Sequence, residues 1–158
     1  MKHKLMLTLG ILALSLAGAS AALAQLQQSA SKVEATATYD TEDAQQLNVQ
    51  LDIADGWHVN ANPASLEFLI PTSITAHAGD NELAPEVDWP AGKDSGIELG
   101  GTEIQVYDSD TEIPVQLDDA AAKALQAGQL ELEVVVQACS DDGICLPPST
   151  LNVTPSAS

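Results

Sequence analysis

The stretch Leu47-Asn48-Val49-Gln50-Leu51-Asp52-Ile53 alternates apolar and polar side chains without a break. A period of two puts four aliphatic side chains on one face of an extended chain and three polar ones on the other, as in a half-buried β-strand. Asp55-Gly56 then supplies a turn, and Trp57-His58-Val59 resumes an extended run. Pro63, Pro71, Pro85 and Pro90 punctuate short segments such as 73–77 and 87–89. Residues 94–101, with Gly96, Gly100 and Gly101, read as a loop, and 104–107 and 112–117 as two more strands. Residues 118–127 form the one helical pattern: Ala-rich, opened by the capping residue Asp118 and closed by Gly128. The longest strand runs over 129–139, and 151–154 closes the domain. Seven or eight short strands, roughly, with one minor helix predict an all-β, immunoglobulin-like antiparallel sandwich. No strand–helix–strand alternation supports a Rossmann or thioredoxin fold, and the C-x-x-C spacing is missing.

The chain opens with Lys2, His3 and Lys4, followed by an apolar run over 5–16 and a small-residue stretch ending Ala22-Leu23-Ala24. The run is too short for a bilayer span, and the pattern predicts a cleaved secretory signal peptide over 1–24. The expected organisation is a polar lead-in and first strand over 25–44, with 25–32 frayed, a β-sandwich over 45–154, and a tail over 155–158. The mature chain is expected to be periplasmic, with no membrane insertion.

The sequence holds 23 Asp+Glu against 5 Lys+Arg, a formal charge of −18. The signal segment carries two of the lysines and no acid, so its removal leaves −20. Such a chain has no basic face with which to displace counterions from phosphates, which excludes nucleic acid as a partner. Both methionines, Met1 and Met6, lie in the signal segment, so a thioether copper carrier is disfavoured. The acid excess suits either a high-salt habitat or the steering of a basic partner.

Only two cysteines are present, Cys139 and Cys145, spaced C-x5-C. Export places them in an oxidising compartment, where a disulfide is the default state. The intervening Ser140-Asp141-Asp142-Gly143-Ile144 is turn-forming, so the two can face each other across a hairpin. A structural staple is one reading. It is a weak one, because a loop of about seven residues removes only about 2.4 kcal/mol of denatured-state entropy. Parity favours reactivity: Leu130, Leu132, Val134, Val136 and Ala138 share one face, while Glu131, Glu133, Gln137 and Cys139 share the other. Without a bulge, Cys139 therefore points away from the core, within reach of another protein's thiolate. Asp141 and Asp142 lie within three residues of Cys139 with no lysine nearby in sequence. A thiol pKa at or above the ordinary value of about 8.5 follows.

The run 136–148, Val-Gln-Ala-Cys-Ser-Asp-Asp-Gly-Ile-Cys-Leu-Pro-Pro, resembles the active-site segment of the amino-terminal periplasmic domain of the disulfide interchange protein DsbD. Gly56-Trp57-His58-Val59, the run 68–72, and Val106-Tyr107 followed by Ile113-Pro114-Val115 support the resemblance, which spans about residues 45–154. It implies an immunoglobulin-like sandwich and makes Cys139 and Cys145 the redox pair, with Cys139 bonding the partner. It implies electrons received from a thioredoxin-like protein or membrane electron carrier and passed to a periplasmic disulfide isomerase or cytochrome c maturation protein. No cofactor or metal is implied. The family's cap loop falls near 97–103, where this sequence has no aromatic residue and Leu99 is the nearest substitute. His58 and Asn60 stand where tyrosines lie near the family site, and with Leu99 they are the expected shielding or supporting residues.

The expected function is thus periplasmic thiol–disulfide exchange, a thiol–disulfide oxidoreductase activity on protein disulfides. The rival from another class is a non-catalytic binding or scaffold sandwich with a stapled hairpin. A third reading, a metal carrier using His58, His77 and both cysteines, matches no zinc spacing.

Overall fold

In a computed structural model, which describes residues 28–158, the alternating stretch is the second half of β2 (Asp43–Ile53). Leu47, Val49, Leu51 and Ile53 are buried there, as their period requires. The expected signal peptide lies outside the described residues. β2 pairs with β1 (Val33–Asp40) and β9 (Glu112–Gln116); β6 (Glu86–Val87) extends the sheet beyond β9. On its other edge β13 (Ser156–Ala157) joins β1 in parallel, with Thr38 opposite Ser156. The segment expected to be tail is therefore part of a sheet.

A second sheet has the order β12 (Ser149–Val153), β10 (Leu130–Val136), β4 (Ser73–Ala78), β5 (Asn81–Leu83). A third has the order β11 (Ala138–Ser140), β3 (Trp57–Asn60), β8 (Thr102–Tyr107), β7 (Lys93–Leu99). The pairings in these two sheets are antiparallel. Only Gln137 separates β10 from β11, so a single extended segment passes from the second sheet into the third. The apolar faces of β1, β2 and β9 share one core with those of β4 and β10, joined by Val59, Tyr107 and Ala138 from the third sheet. This is the mostly β, antiparallel, immunoglobulin-like sandwich that the strand pattern predicts.

The helix α1 (Asp119–Gln126) is where the sequence places it. Asp118 caps it, its carboxylate accepting from the Ala121 amide at 2.8 Å, and Ala121, Ala122, Ala124 and Leu125 face the core.

Two further segments differ from expectation. Residues 94–101 are largely strand β7, paired to β8 in a hairpin with its tip at Gly100 and Gly101. The register shifts between Asp94 and Glu98, where Gly96 takes a positive φ of 74° that a Cβ would strain. Most of β7 is solvent-exposed, so it lacks the alternation that marks a half-buried strand. The hairpin is fastened at its base by Lys93 Nζ, 2.6 Å from Asp108 Oδ2. The lead-in is not frayed over its described part. Ser29–Ser31 form a 3-10 turn with Ser29 fully buried, and Lys32 lies 5.0 Å over the Trp57 ring.

Candidate redox site

Cys139 and Cys145 are joined by a disulfide with 3.9 Å between their Cα atoms. The bond spans a hairpin. The Ser140 amide donates to the Ile144 carbonyl at 2.8 Å, and the Leu146 amide to the Ala138 carbonyl at 2.8 Å. These two bonds bracket the cysteines and make them a non-hydrogen-bonded antiparallel pair, the kind whose side chains approach most closely. The turn is built for the same purpose. The Gly143 amide donates to the Ser140 carbonyl at 2.8 Å, and the Ile144 amide to Ser140 Oγ at 3.2 Å. Gly143 holds φ at 84°, which favours glycine. None of these bonds depends on the disulfide, so the hairpin has its own means of keeping two thiols opposed.

The rest of the fold clamps this hairpin from three sides. β3 pairs with β11, setting Val59 against Ala138, His58 against Cys139 and Trp57 against Ser140, and the Asp141 amide reaches the Gly56 carbonyl at 3.0 Å. The amino-terminal turn inserts Ser29, whose hydroxyl accepts from the Ala138 amide at 2.8 Å and donates to the Pro147 carbonyl at 2.7 Å. Gln137 is the third clamp. Its Oε1 accepts from Asn60 Nδ2 and from the Ile70 amide, both at 3.1 Å, and its Nε2 donates to the Leu146 carbonyl at 3.4 Å.

The two cysteines differ sharply in access. Cys139 is only 3% exposed, whereas Cys145 lies exposed on the returning strand. The parity expectation is thus corrected. Alternation continues through Ala138, but beyond Gln137 the chain has entered the third sheet. There the face opposite the core carries buried His58 and Asn60 rather than solvent. Of the two, Cys145 is the one open to solvent.

The other sequence candidates are brought together in part. His58 is buried beside Cys139 in the strand register, with Nδ1 3.3 Å from Asp141 Oδ1. Asn60 supports the site indirectly: Nδ2 binds the Ile70 carbonyl at 3.0 Å as well as Gln137, and its carbonyl accepts from Thr72 Oγ1 at 2.7 Å. Leu99 is 41% exposed near the β7–β8 tip, and none of the hydrogen bonds that fix the cysteine hairpin among the described residues involves it. Its neighbour Ile97 instead packs with Leu69, Ile104 and Val106 in a small second core. His77 is on β4 in the second sheet, opposite Glu131, with Nε2 3.5 Å from Glu133 Oε2. It does not join His58 and the cysteines.

Ser29 and Gln137 were not found by sequence reading, because Ser29 reaches Ala138 across 109 residues and Gln137 reaches Ile70 and Asn60 across 67 and 77. Exposed apolar side chains include Ile144, 66% accessible and next to Cys145, and Ile70, whose amide is fixed by Gln137.

Comparison with known proteins finds that the family described as "Thiol:disulfide interchange protein DsbD, N-terminal" matches residues 24–157. Among solved structures, the amino-terminal periplasmic domain of ScsB from Proteus mirabilis is 19% identical over 77% of this chain, with a TM-score of 0.45. This chain spans 45% of that protein's length. The reduced DsbD amino-terminal domain of Neisseria meningitidis is 18% identical, covering 77% of this chain and 81% of that one, with a TM-score of 0.46. No curated protein matches.

Proposed function

Because the chain belongs to the family of DsbD amino-terminal domains, thiol–disulfide interchange modules of the periplasm, we propose that Cys139 and Cys145 carry electrons to partner disulfides. The observation that carries this reading is an exposed Cys145 bonded to a buried Cys139 in a hairpin held by its own backbone bonds. The difference in burial supports a division of roles. In the reduced domain the Cys145 thiolate attacks a partner disulfide, forming one S–S bond and expelling a partner thiolate. Cys139 then attacks Cys145 Sγ, closing the internal disulfide and releasing the second partner thiolate. Two electrons pass to the partner, and two protons leave the domain's thiols for the partner's. Recharging runs the same steps in reverse, with a donor thiolate attacking Cys145. Cys145, rather than Cys139, is therefore the sulfur that bonds the partner.

The donor in this reading is a thioredoxin-like protein or a membrane electron carrier. The acceptor is a periplasmic disulfide isomerase or cytochrome c maturation protein. Cleavage of a signal peptide over 1–24 delivers the domain to its compartment. Among the described residues no helix is long and apolar enough to cross a membrane. Exposed Ile144 and Ile70 supply apolar contact for a docked partner, and Asn60 and Gln137 keep the ground beneath it rigid.

The test is covalent trapping. Reduced Cys139→Ser protein, mixed with an oxidised periplasmic disulfide isomerase, should accumulate a mixed disulfide through Cys145. Cys145→Ser protein should form none while folded. Equal adduct from both variants, or from neither, counts against the assignment.

A further inference from the structure

A buried sulfur poses a problem that the exchange chemistry does not solve by itself. Cys139 must lose its proton to attack Cys145, and must be expelled as a thiolate when a donor reduces the pair. Burial disfavours a bare thiolate, because its charge is cut off from water. A proton acceptor beside it is required. The residue opposite Cys139 in the β3–β11 register is His58, itself 6% exposed. Directly opposed residues share one face of a sheet, with Cβ atoms about 4.5–5.5 Å apart. An imidazole can both take and give a proton near neutral pH.

His58 is also tied to solvent. Its Nδ1 lies 3.3 Å from Asp141 Oδ1, and the Asp141 side chain is 73% exposed. With that carboxylate ionised, Nδ1 carries the hydrogen and donates it, leaving Nε2 as the acceptor and stabilising the imidazolium once it forms. Residue 141 is itself fixed, through its amide on the Gly56 carbonyl just before β3. The arrangement is a buried thiol on β11, a buried imidazole on β3 and an exposed carboxylate in the cysteine turn, 83 residues from the imidazole in sequence.

We infer that His58, oriented by Asp141, is the proton carrier for Cys139. The inference rests on the exchange reading above and specifies how its buried half works. In the closing step the Cys139 proton passes to His58 as Cys139 Sγ attacks Cys145 Sγ. The electron pair of the broken S–S bond leaves with the partner thiolate, and His58 returns its proton to that thiolate or to water. In recharging, His58 protonates Cys139 as it is expelled. The other charged groups on or flanking the elements packed against β3 are Glu103 on β8, Asp142 in the cysteine turn, Asp108 beyond β8 with its partner Lys93, and Lys32 over Trp57. Among the described residues, none of these groups has a bond to the ring; Asp141 has.

The pairing reverses the sign expected for Asp141 from sequence. As a bare neighbouring charge, Asp141 raises the Cys139 pKa, and its neutralisation would lower it. As the partner of an imidazolium, it favours the thiolate, and its neutralisation raises the pKa. The experiment is an ultraviolet titration of the Cys139 thiolate in Cys145→Ser protein, alone and combined with His58→Gln, Asp141→Asn or Asp142→Asn. His58→Gln should cut the thiolate fraction at neutral pH about tenfold, one pKa unit upward. Asp141→Asn should shift it the same way by less, and Asp142→Asn should not raise it. An unmoved titration in folded His58→Gln, or a fall in pKa in Asp141→Asn, overturns the inference. Asp141 is a surface side chain, so the second arm decides even where His58→Gln fails to fold. Failure of the disulfide to equilibrate with glutathione would instead defeat the exchange reading; the titration judges His58 separately.

Discussion

The amide of Ala138, the residue before Cys139, donates to the hydroxyl of Ser29 at 2.8 Å, across 109 residues of sequence. The same hydroxyl donates to the Pro147 carbonyl, just beyond Cys145, so one side chain from the amino-terminal turn ties together both arms of the redox hairpin. Ser29 and the Ala138 side chain are fully buried, leaving little room for water to substitute.

Ser29→Ala should therefore cost about 1–3 kcal/mol, the penalty for orphaning buried hydrogen-bonding groups. It should also speed amide exchange at Ala138 and Leu146. Denaturant midpoints and hydrogen exchange measure the two effects. An unchanged midpoint together with unchanged protection would show that the turn is not a clamp.

Gln137 makes a second prediction. Gln137→Ala deprives Asn60 Nδ2 and the Ile70 amide of a shared acceptor, and the Leu146 carbonyl of a donor. Asn60 keeps its bond to the Ile70 carbonyl and the exposed Ile70 can turn to water, so the loss should be about 1–2 kcal/mol. Equilibrium unfolding of the oxidised protein measures it. A double-mutant cycle with Asn60→Ala should show coupling; strict additivity would separate the two residues.

The Lys93–Asp108 pair sets a pH dependence. The Lys93 ammonium beside Asp108 holds its carboxyl below the ordinary carboxylate value, and Asp108 in turn raises Lys93. A lowered carboxyl pKa contributes stability above its unfolded value and loses it as pH falls through the folded one. A raised lysine pKa contributes below its unfolded value and loses it as pH rises through the folded one. The pair thus stabilises across the neutral range and fades at both extremes. Lys93 is largely exposed and Asp108 partly so, and the effect is small. Lys93→Met should lower Tm slightly at pH 7 and not in strong acid. An equal loss at both pH values would point to packing instead.

Charge sets the response to salt. The described residues contain all 23 Asp+Glu but only Lys32, Lys93 and Lys123 as fixed cations. One lysine–carboxylate pair forms among the described residues, so most carboxylates repel one another with no lysine to offset them. Screening over a Debye length near 8 Å at 0.15 M weakens that repulsion. Tm should rise from low to molar sodium chloride. A flat or falling curve would contradict both this claim and a high-salt role for the acidic surface.

What the sequence disclosed and what it hid divide along physical lines. The alternation over 47–53 and 130–136 needs only a strand with one buried face, and both stretches are strands so buried. Asp118 and Gly128 mark the helix because capping is local chemistry. β7 escaped because a mostly exposed strand carries no period, and β13 because two residues join a sheet through backbone alone. At the site, the C-x5-C hairpin was legible, since its turn lies between its own cysteines. The burial of Cys139 was not, since parity carries no notice that the chain changes sheets at Gln137. Nor was the His58–Asp141 contact, which exists only once β3 lies against β11.

The central claim is that the Cys139–Cys145 disulfide is exchangeable in the folded protein, and a redox titration of the pair against glutathione tests it most directly. Structural disulfides sit below about −300 mV and resist the glutathione pool, whereas an exchange module must equilibrate with it. The account predicts reversible opening and closing at intermediate glutathione ratios, with native circular dichroism retained throughout because the backbone bonds at Ser140 and Leu146 hold the hairpin. A bridge that stays closed until the domain unfolds would contradict it and leave the hairpin a structural staple.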